Sequence, residues 1–366
     1  MQHHEIVALE GIHQPLPASF DFGSHASYSL TSYDRTAAHE LHSRVGNATI
    51  LIVTVTKITA ETLHPDVTPK LQLVAVMATG TDPVDLEACR ERGIRVVNSP
   101  AANLDSVSEH AISLYFAARR RTCRMNALTR EEPSQWKRHG SLNQHMRFAD
   151  GTPPLTCGDE VMGIIGYGGL GRAMETRSPE IRGRGSRGHE LIPWPGKRIA
   201  TLGRALGMHV LVAARKTPDG ALPSSDHPTG HGDDRVPFDD VLRRSTVLVL
   251  SLPRNPHTLN LVSTAELAVM SPYAVLVNIA RGGIVDESAV VHALQEGQIA
   301  GYATDVYQVE PVDGDTPLLS EEARSLNITM TPHLAWFSKR TMKNLGEILK
   351  NTVEAWVRGE ELNVVV

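Results

Sequence analysis

Short apolar runs alternate with helical patterns through most of the chain. In its first third the pattern predicts buried strands at Ala48–Thr56, Leu71–Ala78 and Ile94–Asn98, and a helix at Val84–Arg92 that ends before Gly93. A glycine directly after the last helical residue is a common helix end. Strands that alternate with helices in this way predict a parallel sheet covered by helices.

A long helix separates this series from a second one. The segment Ser106–Arg121 begins with a serine that is followed three residues later by Glu109, and it ends with three arginines. Both features are typical of helix ends, because they complement the backbone groups that lack partners there. Further strands are predicted at Val161–Gly166, Met208–Ala213, Thr246–Leu252, Ala274–Asn278 and Ile299–Val306, and a final amphipathic helix at Ser338–Arg358.

Two α/β halves are the simplest architecture for this pattern. The 366 residues suffice for two domains with separate cores. We expect the break at the helix that begins at Ser106, and we expect the final helix to return to the first half. The first 45 residues show few clear elements.

Composition narrows the range of functions. The net charge of -5 disfavours nucleic-acid binding as the main activity, since phosphate backbones attract basic surfaces. Cys89, Cys123 and Cys157 form no CxxC pair, so we expect a reducing compartment and neither disulfides nor a metal site. The N-terminus does not resemble a signal peptide, and no apolar run approaches the ~20 residues of a membrane helix. We therefore expect a cytoplasmic protein without a membrane partner.

A glycine-rich loop directly follows one predicted strand. The segment Gly166-Tyr167-Gly168-Gly169-Leu170-Gly171 fits the GxGxxG pattern of a dinucleotide-binding loop. In that motif the first glycine makes a tight turn, the second admits the pyrophosphate, and the third lets the following helix pack on the strand. A plain glycine-rich turn is the alternative interpretation, but the preceding strand favours dinucleotide binding.

The helix expected after this loop is interrupted. Residues 172–196 contain several Pro, Gly and Arg residues and cannot form one helix, and the helical pattern resumes at Lys197–Leu206. Ala214 ends the next strand 48 positions after Gly166, whereas removal of the segment leaves about 23, near the spacing of an ordinary Rossmann unit. We interpret residues 172–196 as an insertion, either a retained intron or gene-model error, or a genuine surface loop. If the protein carries it, we expect dinucleotide affinity to fall.

Three further motifs occur in order towards the C-terminus. They are Asn278–Asp286 (NIARGGIVD), Ala303–Pro311 (ATDVYQVEP) and Thr331–Trp336 (TPHLAW). With these motifs, Val161–Trp336 without the insertion resembles the D-isomer-specific 2-hydroxyacid dehydrogenase family, and the resemblance extends to Ala48–Arg121. The ending at Trp336 is similar to the glycerate dehydrogenase or hydroxypyruvate reductase branch. The activity implied is hydride transfer between NAD(P)H and a small 2-keto or 2-hydroxy acid.

The motifs contain the side chains that this chemistry needs. The planar guanidinium of Arg281 suits a substrate carboxylate, and the imidazole of His333 suits proton transfer near neutral pH. A carboxylate at Glu310 would fix the imidazole tautomer and favour its protonated form. Each residue alone has a structural alternative: a turn with a surface ion pair, a loop acid, and a satisfied core histidine. Together, in family order, they favour catalysis, whereas His110 is assigned a structural role.

The resemblance also implies a fold and further binding residues. It implies a flavodoxin-like substrate domain at residues 1–105, completed by 335–366, a Rossmann NAD(P)-binding domain at 106–334, and a homodimer. Thr79 and Gly80 are implied to bind the substrate carboxylate through their backbone N–H groups. The remaining implied positions contact the cofactor: Val107, Leu252, Pro253, Ala280 and Asp305. For Val107 core packing is an equal alternative, and for Asp305 a strand-end cap is the alternative.

The end of the second Rossmann strand bears on the choice of nicotinamide. An NAD-dependent enzyme usually has Asp or Glu there to bind the ribose 2′-hydroxyl. This chain has Ala214, followed by Arg215 and Lys216, so no acid repels a 2′-phosphate and two cations could bind one. The sequence favours NADP over NAD, with solvent-facing cations as the alternative.

Two other functions stay open at this stage. One is a nucleotide-sensing binding protein, like the corepressors that use the same fold. The other is a pseudoenzyme disabled by residues 172–196. The complete set of Arg281, Glu310 and His333 favours an active dehydrogenase over both.

Overall fold

A computed structural model describes residues 2–168, 195–216 and 235–366 of the chain. The chain divides into two compact units, Met1–Asn103 with Phe337–Val366, and Leu104–Trp336. The expected boundaries, at residues 105/106 and 334/335, lie within two residues of these. The assignment of substrate and cofactor domains to the two units stays a prediction.

The first unit contains a five-stranded, wholly parallel sheet. Its strand order, β2-β1-β3-β4-β5, is that of a flavodoxin-like fold, as the resemblance implied. The pairing register runs through Ile6, Ile50, Leu73 and Arg95. The strands are β1 (Gln2–Ala8), β2 (Ala26–Ser32), β3 (Ile50–Val53), β4 (Leu73–Val76) and β5 (Arg95–Val97).

Helices cover this sheet because its central strands are apolar on both faces. Every residue of β3 and β4 is buried, as parallel strands between helices require. The helices of the unit are α1 (Ala38–Val45), α2 (Leu86–Glu91) and the C-terminal helix Lys339–Val357. Asp85 caps α2 by accepting a hydrogen bond from Ala88 N, and Ser338 caps the C-terminal helix in the same way through Thr341 N.

The second unit contains a seven-stranded parallel sheet in the order β12-β11-β10-β9-β6-β7-β8. The first strand of this unit lies inside the sheet, and the chain then builds outwards on one side before it crosses to the other. This is the doubly wound Rossmann arrangement. The strands are β6 (Val161–Ile165), β7 (His209–Ala213), β8 (Arg235–Val236), β9 (Val247–Leu250), β10 (Val275–Asn278), β11 (Gly301–Thr304) and β12 (Ile328–Met330).

Hydrophobic side chains pack on both faces of this second sheet. One core cluster contains Leu248, Leu250 and Leu276, and the other contains the alternate residues Val247, Val249 and Val275. The α-helices described in this unit are α3 (Leu104–Arg119), α4 (Thr122–Arg130), α5 (Gln135–His139), α6 (Pro195–Ala205), α7 (Phe238–Arg244), α8 (Thr264–Ala268) and α9 (Glu287–Gln295).

The structure corrects two expectations from the sequence. The N-terminal segment, where few elements were clear, forms β1, β2 and α1. The helix expected to resume at Lys197 begins at Pro195, so the last two residues of the predicted insertion belong to α6. Proline suits the first turn of a helix because its missing N–H would have no partner there. Residues 172–194 lie outside the described part of the chain.

None of the described helices is long and apolar enough to cross a membrane. Within the same ranges there is no group of three or more His, Cys, Asp or Glu side chains that could hold a metal ion.

Candidate active site

The loop after β6 contains two glycines with left-handed backbone conformations. Gly166 and Gly168 have φ angles of +98° and +88°, which side chains of L-residues rarely adopt. A Cβ built on Gly166 would lie 2.1 Å from the carbonyl oxygen of Ser251, which directly follows β9. The loop therefore lies where the strand order reverses, between β6 and β9, which is where doubly wound sheets bind dinucleotides. These residues fit a dinucleotide; the predicted Gly169, Leu170 and Gly171 lie outside the described ranges.

The residues expected to surround the adenosine and ribose follow β7 and β9, at the same end of the sheet as the glycine-rich loop. Leu252 is half-buried and Pro253 is exposed just after β9. Ala214 is buried after β7, while Arg215 and Lys216 are exposed. The Lys216 ammonium lies 2.7 Å from Glu266 Oε1, so this cation already has a carboxylate partner.

Val107 lies on α3 and is buried in the hydrophobic core of the second unit. The structure therefore shows the core packing that was the alternative interpretation of Val107. A contact with the cofactor stays a prediction.

The side chains of Glu310 and His333 are in close contact at the carboxyl end of the second sheet. His333 Nδ1 lies 2.6 Å from Glu310 Oε2, with 41% and 32% of the two side chains exposed. Among the described residues, the other ring nitrogen, Nε2, has no hydrogen-bond partner. One side of the imidazole is thus held by a carboxylate, and the other is available to exchange a proton.

Opposing effects act on the pKa of Glu310. Burial raises the pKa, but the hydrogen bond and the charge of His333, a hydrogen bond from Tyr307 N and the charge of Arg281 lower it further than burial raises it. The pKa of this carboxyl therefore lies below its usual value, and Glu310 is ionised at neutral pH.

Arg281 is positioned by the loop that follows β10. Asn278 braces this loop, since its side chain accepts a hydrogen bond from Ala280 N and donates one to Arg281 O. Next to the arginine, a Cβ on Gly282 would lie 1.6 Å from Tyr307 O, so glycine lets this loop pack directly on the segment that leads to Glu310. That close approach explains why the charge of Arg281 reaches Glu310.

Ala280 was expected to offer its backbone carbonyl to the cofactor. In the structure this oxygen accepts a hydrogen bond of 2.7 Å from Arg281 Nη1. A carbonyl oxygen has two lone pairs, so one acceptor position is left.

Asp305 holds the loop that carries His333. Its side chain is buried, and it accepts hydrogen bonds from Leu334 N, Ala335 N and the Thr331 hydroxyl at 2.6–3.0 Å. His333 itself has a φ of +54°, an unusual conformation for a residue with a side chain. Contacts on both sides of His333 stabilise this backbone, because Trp336 Nε1 also donates to His333 O at 2.8 Å.

The sequence alone did not reveal the contacts behind this loop. His110 Nε2 lies 2.9 Å from Thr331 Oγ1, which in turn donates to Asp305. The buried Glu287 accepts hydrogen bonds from Gln308 N and the Thr316 hydroxyl, and so supports the segment before Glu310. Glu287 follows Asp286 at the start of a helix, where an acid is usually a helix-terminus residue, so no signal distinguished it.

Thr79 and Gly80 lie in the first unit, on the loop after β4. The Thr79 side chain contacts Ser99 O and Asn103 Oδ1, and Thr79 O accepts from Asn98. Within the described residues, neither Thr79 N–H nor Gly80 N–H has an acceptor, so both donors are available to a ligand.

Taken together, the second unit has a glycine-rich loop where its strand order reverses and, at the same end of the sheet, an Arg–Glu–His set suited to an oxidoreductase acting on a carboxylic acid. Comparison with known proteins supports this class of enzyme. The model of the D-isomer specific 2-hydroxyacid dehydrogenase NAD binding domain matches residues 195–335. Glycerate dehydrogenase of Methylorubrum extorquens is 34% identical over 340 residues, which cover 92% of each chain. Hydroxypyruvate reductase of Blautia hydrogenotrophica is 31% identical over 366 residues, or 99% of each chain.

One solved structure extends the comparison of the fold. NADPH-dependent glyoxylate/hydroxypyruvate reductase from Sinorhizobium meliloti, in complex with NADP and malonate, has a TM-score of 0.69. Its sequence is 23% identical, and the alignment covers 99% of this chain and 97% of that one. The chain belongs to the D-isomer specific 2-hydroxyacid dehydrogenase family, a family of nicotinamide-dependent oxidoreductases.

Proposed function

We propose that this protein reduces a small 2-keto acid to its D-2-hydroxy acid with NAD(P)H. The candidate substrate pairs are hydroxypyruvate with D-glycerate, and glyoxylate with its reduced form. The observation that carries the proposal is the 2.6 Å contact between His333 Nδ1 and Glu310 Oε2, which leaves Nε2 for the substrate. The similarity to a glycerate dehydrogenase and a hydroxypyruvate reductase supports this choice of substrates.

Each of the three side chains has one task in this reaction. Arg281 binds the substrate carboxylate through its planar fork of donors. His333 gives a proton from Nε2 to the oxygen of the reacting carbonyl, and takes it back in the oxidative direction. Glu310 is ionised and stabilises the positive charge of the protonated imidazole. When bound, the nicotinamide supplies the hydride to the carbonyl carbon.

We also propose that the backbone N–H groups of Thr79 and Gly80 bind a carboxylate oxygen of the substrate. The family resemblance implies this role, and the lack of described acceptors for both N–H groups supports it. Two adjacent backbone donors suit an anion because they carry no entropy cost of ordering a long side chain.

A substrate panel tests the main proposal. Oxidation of NADH and NADPH is followed at saturating hydroxypyruvate, glyoxylate and pyruvate, with D-glycerate in the reverse direction. We expect turnover on hydroxypyruvate or glyoxylate, and we expect Arg281→Lys to raise the KM for the acid because Lys lacks the bidentate fork. Cofactor binding without turnover on any of these acids would instead identify a nucleotide sensor or a pseudoenzyme, the two alternatives.

We propose NADPH as the preferred cofactor, with Arg215 as the residue that binds the 2′-phosphate. Lys216 contributes less, because Glu266 already neutralises its charge. We expect Arg215→Ala to lower kcat/KM for NADPH relative to NADH more than Lys216→Ala does. An unmodified enzyme that prefers NADH would contradict this proposal.

We further propose a cytoplasmic homodimer whose ligands are small molecules, not nucleic acid or a membrane. The family resemblance supports the dimer. The absence of an acidic residue at Ala214 supports the preference for NADPH proposed above. Light scattering after size-exclusion chromatography tests the dimer, and a mass of one chain, 39.9 kDa, would reject it.

A further inference from the structure

The second residue of α6 cannot carry a side chain. A Cβ built on Gly196 would lie 2.1 Å from Gly166 O and 3.1 Å from both Gly166 C and Tyr167 Cα. All three atoms belong to the backbone of the dinucleotide loop, so no side-chain rotation could relieve the clash. Gly196 therefore lets the helix pack directly on the end of β6.

In a dinucleotide motif the third glycine makes this kind of contact, because it lets the helix pack closely on the strand. By order in the sequence that glycine is Gly171, which lies outside the described residues. We propose that Gly196, 25 positions later, is the third glycine of the cofactor loop in this protein, and that residues 171–195 are dispensable for cofactor binding. The proposal rests on the nicotinamide dependence of the family.

The distance to the second Rossmann strand supports this assignment independently. Ala214, where a ribose-binding acid would stand, lies 18 positions after Gly196 but 43 after Gly171. A Rossmann unit places this position about 20 residues beyond its glycines. The match to the family model also begins at residue 195.

Helix α6 packs on the core of the second unit. Ile199 and Ala200 are buried in the core of the unit, and Gly203 approaches Met162 on β6 so closely that a Cβ would lie 2.8 Å from its sulfur. Arg198 Nε lies 3.5 Å from Asp105 Oδ1 on α3. The predicted interruption of the helix after Gly171 falls on residues outside the described ranges.

The sequence at the two ends of the segment makes a clean deletion possible. Gly171 and Gly196 are each followed by a basic residue, Arg172 and Lys197. Removal of residues 171–195 joins Leu170 to Gly196 and restores an uninterrupted GYGGLGK loop. Removal of 172–196 would give the identical chain, so the deletion needs no new sequence.

Two variants of the full chain test the role of Gly196 directly. Dissociation constants for NADH and NADPH are measured by fluorescence titration, with the melting temperature of each variant, so that the readout does not depend on turnover. We expect Gly196→Ala to weaken dinucleotide binding by about tenfold or more, because a Cβ overpacks the loop. The control is Gly346→Ala, a helical glycine whose Cβ would meet nothing within 4 Å, and it should bind as the unmodified protein does. Unchanged binding and melting temperature for Gly196→Ala would overturn the proposal.

The deletion of residues 171–195 provides the complementary test. We expect a folded protein by circular dichroism that binds the dinucleotide at least as tightly as the full chain. A deletion variant that folds but fails to bind, or that fails to fold, would overturn the proposal, because either result makes the segment necessary. If Gly196→Ala yields no folded protein, the full-chain variant Gly171→Ala tests the assignment, because weakened dinucleotide binding in that variant would overturn it. Turnover is not measured in these assays, so an error in the proposed substrate would not affect the outcome.

Discussion

Two carboxylates of the second unit, Glu310 and Glu160, each pair with a basic side chain, but in opposite surroundings. In the Glu310–His333 pair the side chains are 32% and 41% exposed, and one ring nitrogen has no described partner. The Glu160–Arg119 pair has at most 1% of either side chain exposed. Both contacts are short, at 2.6 and 2.5 Å, so distance alone does not distinguish them.

The difference lies in the number of partners. Glu160 also accepts hydrogen bonds from Tyr115 and Thr246, and the guanidinium of Arg119 also donates to Tyr273 O and Thr246 O. Burial and the charge of Glu160 raise the pKa of Tyr115, which stays a hydrogen-bond donor. A saturated pair of this kind stabilises a structure, whereas a pair with an unused nitrogen can exchange a proton. Chemistry is therefore expected where hydrogen bonding is incomplete.

The largest effect is expected at the incomplete pair. His333→Asn removes the proposed proton donor, so turnover should fall by about 10²- to 10⁴-fold. Asparagine tolerates the positive φ of this position, so dinucleotide affinity should stay within a few fold of the unmodified protein. Steady-state kinetics and fluorescence titration measure the two quantities.

His64→Asn is the matched control for this variant. His64 also lies near a carboxylate, Asp66, at 3.5 Å, but both side chains are more than half exposed. Its replacement should change neither turnover nor affinity. Equal turnover in His333→Asn and His64→Asn would reject the catalytic role of His333.

The next largest effect is expected at the saturated pair, and on stability. Arg119→Met leaves the carboxylate of Glu160 buried without its cation, which should cost about 3–5 kcal/mol of unfolding free energy. Denaturant titration measures the loss, and the second substitution Glu160→Gln should recover part of it. A loss below about 1 kcal/mol, the value of an exposed ion pair, would show that the pair is not buried in solution.

A smaller effect is expected from the acid of the active site. Glu310→Gln keeps a hydrogen-bond acceptor for His333 but removes the negative charge, so turnover should fall less than in His333→Asn, by about 10²-fold. The melting temperature should change little because the pair is partly exposed. The comparison would break if Glu310→Gln destabilised the protein as much as Arg119→Met does.

The smallest effect is expected one step behind the active site. Thr331→Val removes the hydroxyl that joins His110 to Asp305. The loss of this hydrogen bonding should cost about 1 kcal/mol, and we expect kcat to fall severalfold. Thr129→Val, at an exposed threonine on α4, is the control and should leave kcat unchanged. A Thr331 variant with the kcat of the control would show that the His333 loop does not depend on this contact.

Local patterns predicted the elements and side chains that lie close together in the sequence. The apolar runs of β3, β4, β9 and β10 were evident because these strands are buried on both faces. Arg281, Glu310 and His333 stand within compact motifs whose chemistry could be inferred directly. Their roles stay predictions until the variants are measured.

Two kinds of feature could not be predicted. The edge strand β2 is mostly exposed and polar, and β1 begins with exposed polar residues, so neither forms an apolar run. The contact between His110 and Thr331 spans 221 positions, and no periodicity in the sequence encodes a partner so distant. The role of Gly196 likewise follows from a tertiary approach to Gly166 and not from its neighbours in the chain.

The left-handed backbone at His333 has a practical consequence for trapping a complex. Since Asp305 and Trp336 hold the main chain of this loop, the imidazole can be replaced by a residue that accepts the same backbone without rebuilding its surroundings. His333→Asn would then retain keto acid and reduced dinucleotide together for crystallisation, and the electron density would identify the acid that this enzyme accepts.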